Sequence, residues 1–305
     1  MSSYQMPGYQ FWPAPGKLNL FLQITGRRDD GYHNLQTLFQ FIDKGDRLRF
    51  EVRDDGRLIR KTDNEGVRAE DDLVIKAAHA LQQASGSDKG ADIYLQKILP
   101  MGGGLGGGSS DAATTLVVLN MLWQCGLSED QLAEIGLGLG ADVPVFVRGY
   151  AAFAEGVGEQ LQAVNPQQPW YLIVKPEVHI STAEIFANSQ LTRDSSTIKI
   201  CDLQIGTAEE ADVFEQLGNV FQPVVAQHYP EIADVIAALS KHTKGKYTKA
   251  RLTGTGACVF AAFATQDEAL QAMQQLPDDW SAFVAKGLNR SPLQAKLASV
   301  SETTE

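Results

Sequence analysis

Six of the seven residues from Gly102 to Gly108, all but Leu105, are glycine, and Ser109 and Ser110 follow directly. Without a Cβ, such a backbone takes φ > 0 freely and comes close to a ligand. The run is bracketed by an apolar segment, Ala91 to Leu95, that reads as a strand. Behind it, Ala112, Ala113, Leu116, Val117 and Asn120 recur at helical spacing, with Ser109 or Ser110 as the expected cap. A glycine loop that feeds a helix N-terminus aims free N–H groups and the positive end of the helix dipole at one point, and that makes a phosphate site. Glycine runs are commonly flexible linkers, but a linker is not held between two core elements. The Gly-Lys-Ser/Thr ending of a P-loop is missing, and a dinucleotide fingerprint can be forced onto any run this rich in glycine. The spacing therefore specifies a phosphate without specifying which.

Phosphoryl transfer to an alcohol also needs a cation near the moving charge and a carboxylate to take the hydroxyl proton. Lys17 lies where Leu18, Leu20, Leu22 and Ile24 alternate with Lys17, Asn19, Phe21 and Gln23, a strand pattern that sets Lys17 and Asn19 opposite the leucines. Asp142 stands between a helix ending at Gly140 and the segment ADVPVFVRG, which reads as a strand. Singly, Lys17 passes as an edge lysine reaching for solvent, and Asp142 as a turn aspartate. Beside a phosphate loop the pair supplies both needs, and mutual proximity keeps the aspartate ionised. RLTGTGACVF adds a second glycine turn at Gly254 and Gly256.

These groups need a scaffold, and the hydrophobic pattern supplies one. Residues 1 to 12 are polar and irregular, and Pro13 and Pro15 deliver the chain extended to Lys17. Asp30-Gly31 marks a turn, with Tyr32 and His33 after it. Leu48, Phe50 and Val52 predict a second strand, and Leu73, Val74, Ala77, Ala78 and Leu81 a helix beginning near Asp71 or Asp72. Ser128 with Gln131 is a capping box for a helix ending at Gly140. NPQQP, Asn165 to Pro169, is the clearest boundary between domains. After it, WYLIVKP, a strand ending in CVFAAF and AFVAKGL read as strands. Ser181 and Glu184 cap a short helix carrying Phe186, residues 188 to 207 form a polar excursion, and helical blocks fall near 208–226, 231–241 and 266–276. Interleaved helices and apolar strands fit a ferredoxin-like α/β sandwich. The tail after Pro292 reads as weakly ordered.

The 305 residues suffice for two domains. A net charge of −11 argues against a general nucleic-acid or anionic-membrane binder. Lys241, Lys244, Lys246 and Lys249 read as a solvated loop. Cys125, Cys201 and Cys258 are too scattered for a disulfide framework or a zinc site. With no basic leader and no apolar run of membrane-spanning length, the expectation is a soluble cytoplasmic protein, a monomer or weak homodimer.

PAPGKLNLFLQITGRRDDGYHNLQTLFQ, LPMGGGLGGGSSDAAT with ADVPVFVRG, and RLTGTGACVFA resemble the three signature regions of the GHMP kinases. The resemblance preserves order and spacing from about Pro15 to Pro292, and KLNLFLQITGRRDDGYH points to the branch that acts on a cytidylyl-linked methylerythritol. It implies an α/β (α+β) two-domain fold, with an N-terminal α/β ATP-binding domain over 1–162, a C-terminal ferredoxin-like domain over 163–305, and the active site in the cleft between them. The implied reaction is ATP- and magnesium-dependent phosphorylation of the acceptor's 2-hydroxyl, a step of the non-mevalonate route to isoprenoid precursors. By the same resemblance Asp142 matches the catalytic aspartate and Lys17 the lysine that holds it and the reacting hydroxyl. Lys97, Pro100, Met101, Gly102, Gly103, Gly104, Leu105, Gly106, Gly107, Gly108, Ser109 and Ser110 match the ATP site, and Ser110 is also the candidate magnesium contact. Tyr32 and Phe186 match an aromatic pair around the cytosine ring, His33 the residue that reads its edge, and Asn19 and Thr182 polar substrate contacts. Gly16 replaces an expected alanine or serine, and Asp111 stands where some relatives carry asparagine. The rival readings are a sister kinase for mevalonate, homoserine or a sugar, and a non-catalytic nucleotide- or RNA-binding module.

Overall fold

The computed structural model describes residues 11–63, 66–243, 247 and 249–302. It opens on a long antiparallel pair, β1 (Trp12–Arg27) and β2 (His33–Arg53), joined through the Asp30-Gly31 turn, where the Gly31 amide donates to the Arg28 carbonyl at 3.1 Å. Pro13 and Pro15 sit inside β1 rather than before it. Their missing N–H groups cost little, because over this stretch β1 pairs with β2 alone. Register shifts fall between Pro15 and Lys17 and again between Asn19 and Leu22. The expectation that β1 has one core face is corrected. Leu18 and Phe21 are fully buried, but Lys17 and Asn19 are also only 3% exposed. The reason is that the glycine loop lies along this strand, with the Lys17 amide donating to the Leu105 carbonyl at 2.9 Å.

Next come β3 (Leu58–Arg60), α1 (Leu73–Ser85, capped by Asp72), β4 (Gly90–Gln96), α2 (Gly107–Leu122), α3 (Glu129–Leu139, with the Ser128/Gln131 capping box) and α4 (Val143–Arg148). The segment ADVPVFVRG is thus a helix, not a strand. Its valines favour a strand, but Pro144 suits a first helical turn, Gly149 ends the helix at φ +68, and Val143, Val145, Phe146 and Val147 are at most 2% exposed. A helix apolar all round is stable once buried, and α2 and α3 bury this one. Helix α2 likewise begins three or four residues earlier than expected, with Gly106 rather than Ser109 or Ser110 as its cap, so both serines lie within its first turns.

The chain continues through β5 (Ala152–Glu155), β6 (Gln160–Ala163), β7 (Trp170–Lys175), α5 (Thr182–Ala187), α6 (Glu210–Leu217), α7 (Gln222–His228), α8 (Pro230–Ser240), β8 (Arg251–Leu252), β9 (Val259–Phe263), α9 (Gln266–Met273), β10 (Ser281–Leu288) and α10 (Pro292–Glu302). Gly218 splits the single helical block expected over 208–226 into α6 and α7. The described strands form one sheet in the order β3-β4-β2-β10-β7-β9-β8, with β1 and β5 also on β2. Its last four strands are antiparallel and interleaved with helices, a ferredoxin-like arrangement. Its fourth strand, β8, has two residues and too little length to show a period. Val74, Leu81, Leu116 and Leu119 pack on Phe41, Leu48 and Ile93 in the N-terminal core. Val225, Ile232, Val235 and Leu239 pack on Val174 and Val259 in the C-terminal one.

Contrary to expectation, residues 292–302 form a helix, α10. Leu293, 1% exposed, packs with Trp12 and Val118, so α10 covers the start of β1. Trp12 itself belongs to β1 rather than to an irregular leader. Lys244 and Lys246 lie outside the described residues. Among the described residues no helix is long and apolar enough to cross a membrane.

Candidate active site

A cleft of about 910 Å³ gathers Lys17, Asn19, Tyr32, His33, Lys97, Pro100 to Ser109, Asp142, Thr182 and Phe186. All the sequence-predicted site residues line it except Ser110. Lys17 Nζ donates to Asn19 Oδ1 at 2.6 Å, pairs with Asp142 Oδ2 at 3.2 Å, and stands 5.2 Å from the centre of the Phe39 ring. Asn19 is held in turn, its Nδ2 donating to Thr37 Oγ1 at 2.9 Å and its backbone amide to Thr253 Oγ1 at 3.0 Å. The lysine therefore cannot swing to solvent. Asp142 is the N-cap residue of α4, yet its side chain makes no cap bond. Its carboxylate, one-third exposed, is directed to Lys17 and the cleft instead. A buried ammonium beside a partly solvated carboxylate is an arrangement that can hold an alcohol and take its proton.

The glycine loop docks on the second glycine turn through two backbone bonds, Ala257 N to Gly102 O at 2.9 Å and Cys258 N to Gly103 O at 3.1 Å. A Cβ on Gly104, at φ +72, would lie 2.2 Å from the Thr253 carbonyl oxygen. Glycine there permits two backbones to touch, which a side chain would forbid. On Gly106, at φ +69, a Cβ would meet the Phe146 ring at 2.9 Å and Lys17 Cε at 3.1 Å. The turn that ends the loop thus brings the first amides of α2, which have no partner within the helix, beside Lys17.

Lys97 closes the other side of the loop. Its ammonium is shared by Asp46 and by Asp111 Oδ2, the latter at 2.8 Å, while Asp46 Oδ1 accepts from the amides of Ile98 and Leu99 at 2.5 and 2.8 Å. Burial works against the charge on Lys97, but Asp111 and Asp46 hold its pKa above the usual value. Burial pushes the Asp111 carboxyl up to about 8, against the pull of Lys97 and with help from Asp46. Asp111 Oδ1 and Ser110 Oγ are buried without hydrogen-bond partners. Ser110 is fully buried in α2 and is not part of the lining, which its neighbours Ser109 and Asp111 join. Among the described residues no cluster of three or more His, Cys, Asp or Glu side chains could cage a metal ion.

The third group is aromatic. The His33 and Phe186 rings lie with centroids 5.1 Å apart, and Phe186 meets Phe221 edge-on at 4.8 Å. Tyr32, 66% exposed, stands at the mouth. Burial, with Arg193 and Arg27 nearby, lowers the pKa of His33, so the imidazole is neutral at pH 7, and its Nε2 is buried without a partner. Thr182 Oγ1 and Thr255 Oγ1 are 2.8 Å apart and tie α5 to the second glycine turn. Thr37, Asp46, Phe221, Thr253 and Thr255 are site residues that sequence reading missed. Thr253 and Thr255 stood in RLTGTGACVF, where only the glycines drew attention, and nothing local distinguishes the other three.

The models of the GHMP kinases N terminal domain and the GHMP kinases C terminal domain match residues 72–150 and 205–282. The 4-diphosphocytidyl-2-C-methyl-D-erythritol kinase of Pseudomonas aeruginosa is 55% identical over 285 residues, 93% of this chain and 96% of that protein. A crystal structure of a 4-(cytidine 5'-diphospho)-2C-methyl-D-erythritol kinase superposes with TM-score 0.77 at 27% identity, over 91% of this chain and 99% of the other. Homoserine kinase from Cytophaga hutchinsonii shares the fold, with TM-score 0.71 at 16% identity over 95% of this chain and 98% of its own. Both halves of the family pattern thus fall on the two cores that flank the cleft, and the chain belongs to the GHMP kinases, on the branch of the 4-diphosphocytidyl-2-C-methyl-D-erythritol kinases.

Proposed function

We propose that the cleft transfers the γ-phosphate of ATP to the 2-hydroxyl of 4-diphosphocytidyl-2-C-methyl-D-erythritol, giving the 2-phosphate and ADP. One observation carries this reading: a phosphate-type glycine loop, a fixed lysine–aspartate pair and an aromatic group able to stack and read a pyrimidine line one cleft. The loop amides and the start of α2 hold the nucleotide phosphates. Lys17, locked by Asn19 and Asp142, faces the charge that moves and orients the alcohol. As the new O–P bond forms and ADP leaves, the hydroxyl proton passes to the Asp142 carboxylate. The acceptor is a crowded tertiary alcohol, so positioning carries much of the rate. Tyr32 and Phe186 offer faces to the cytosine ring, the partnerless Nε2 of His33 offers a hydrogen bond to its edge, and Asn19 and Thr182 are polar contacts to the same substrate.

The donor set fits a magnesium ion that arrives on the phosphates rather than one held in a protein cage. Asp142 and Asp111, whose Oδ1 is orphaned, line the cleft and are the groups that would hold it. When bound it neutralises phosphate charge. One chain supplies every residue of the cleft, which supports a monomer or weak homodimer. The free cysteines accord with a reducing, cytoplasmic compartment. We place the boundary between the two domains at 162/163.

The test is an ADP-release assay with magnesium and ATP, offering the cytidylyl methylerythritol beside mevalonate, homoserine and galactose. Turnover with the first alone is expected. Turnover with another acceptor would keep the Lys17–Asp142 pair and discard the base pocket, and none with any acceptor would favour a binding module.

A further inference from the structure

The stretch after α5, read in sequence as a polar excursion, contains an arginine with a specific task. Arg193 Nη2 donates to the carbonyls of Phe186 and Asn188, both at 2.7 Å, and Nη1 donates to the Leu191 carbonyl at 3.0 Å. The last carbonyls of a helix lack partners within it, and α5 has only six residues. A guanidinium at that end satisfies them and also complements the helix dipole. The carbonyl at the centre of this clamp is that of Phe186 itself.

The segment carrying Arg193 is anchored on its far side. The Ser195 amide donates to the Ile24 carbonyl of β1 at 2.9 Å. Ile198 and Gln36 of β2 exchange two bonds, at 2.8 and 3.1 Å. Strands β1 and β2 are the hairpin whose turn presents Tyr32 and His33. Arg193 therefore links the element that bears Phe186 to the element that bears the other two members of the aromatic group. Its charge also reaches His33, where with burial and Arg27 it opposes protonation of the ring.

From this geometry we propose that Arg193 is a positioning residue for recognition of the cytidylyl group, locking the Phe186 ring in register with His33 and Tyr32. The proposal rests on the base-pocket reading above. It predicts that Arg193 acts on one substrate and not on the other, because its bonds go to the carbonyls of Phe186, Asn188 and Leu191 and not to the glycine loop or the Lys17–Asp142 pair.

The experiment measures kcat and both KM values for Arg193→Ala and Arg193→Lys, alone and with Phe186→Ala, and for Phe186→Ala and Tyr32→Ala alone. Losing charged hydrogen bonds to three carbonyls at a half-buried site is expected to raise the KM for the cytidylyl substrate about tenfold. The KM for ATP and kcat should stay within about twofold, and Arg193→Lys should recover part of the loss. In the Phe186→Ala background, Arg193→Ala should add less than about twofold, since coupled residues do not add. Equal losses for both substrates, or an undiminished effect without the Phe186 ring, would overturn the proposal. If Phe186→Ala and Tyr32→Ala raise the KM while Arg193→Ala does not, Arg193 loses its role and the pocket stands. If neither ring matters, the pocket itself is wrong. Thermal melting of each variant identifies any that fold poorly, and Arg193→Lys then carries the comparison.

Discussion

Replacing Asp142 with asparagine separates catalysis from stability more cleanly than any other change in this cleft. The side chain keeps its shape and a carbonyl-type oxygen toward Lys17, but it can no longer accept a proton. Because Asp142 caps none of the α4 amides, the helix loses nothing. The ion pair with Lys17 spans 3.2 Å; its carboxylate is one-third exposed but its ammonium is buried, so its loss costs roughly 1–3 kcal/mol. Lys17 still has Asn19 Oδ1 at 2.6 Å and the Phe39 ring at 5.2 Å. In a chain of this size the melting temperature should fall by no more than about 10 °C. Removing a general base lowers kcat by about 10²–10⁴, equivalent to roughly 2.7–5.5 kcal/mol in the barrier. ADP release under saturating ATP and cytidylyl substrate measures this directly, and equilibrium binding of ATP should be nearly unchanged. A kcat within about tenfold of wild type would refute the assignment of Asp142 as base. So would a rate loss matched by a large fall in melting temperature.

Two further outcomes follow from packing. Gly104→Ala puts a Cβ 2.2 Å from the Thr253 oxygen at a left-handed φ of +72, whereas Gly138, with nothing within 4 Å, leaves room for one. The first change should raise the KM for ATP by about tenfold or more, because conformational strain of roughly 1–2 kcal/mol is added to a backbone clash. Gly138→Ala should leave kinetics alone, and similar behaviour of the two variants would count against the docked-loop account. Among the thiols, exposed Cys201 should react with an aromatic disulfide reagent at once. Cys258, fully buried and pushed up to about 12 by burial, should react only after denaturation; rapid labelling of it in the native protein would show that the second glycine turn opens.

Much of the local structure is written in the chain. The Ser128/Gln131 box, the Asp72 cap and the amphipathic run of α1 each depend on neighbours a few residues away, and each was placed correctly. So was the glycine loop, because the property it needs, a backbone without side chains, belongs to the residues themselves. What failed has one cause. The valines of α4 look like a strand until α2 and α3 enclose them. The tail beyond Pro292 looks loose until Leu293 finds Trp12 and Val118. The face of β1 that carries Lys17 and Asn19 looks open until the loop from Leu105 covers it. Tertiary contacts between separate elements override local preference in all three cases.

The candidate site divides the same way. By itself the sequence determined that a glycine loop suited to a phosphate, a lysine, an aspartate and a set of aromatic residues were available, since residue type decides what each group can do. Only the tertiary structure decided that Asp142 forgoes capping to face Lys17, that Asp46 and Asp111 share Lys97, and that Arg193 ties Phe186 to the hairpin of Tyr32 and His33. Those arrangements join residues far apart in the chain, and their burial and charge exist only once the two cores enclose one cleft.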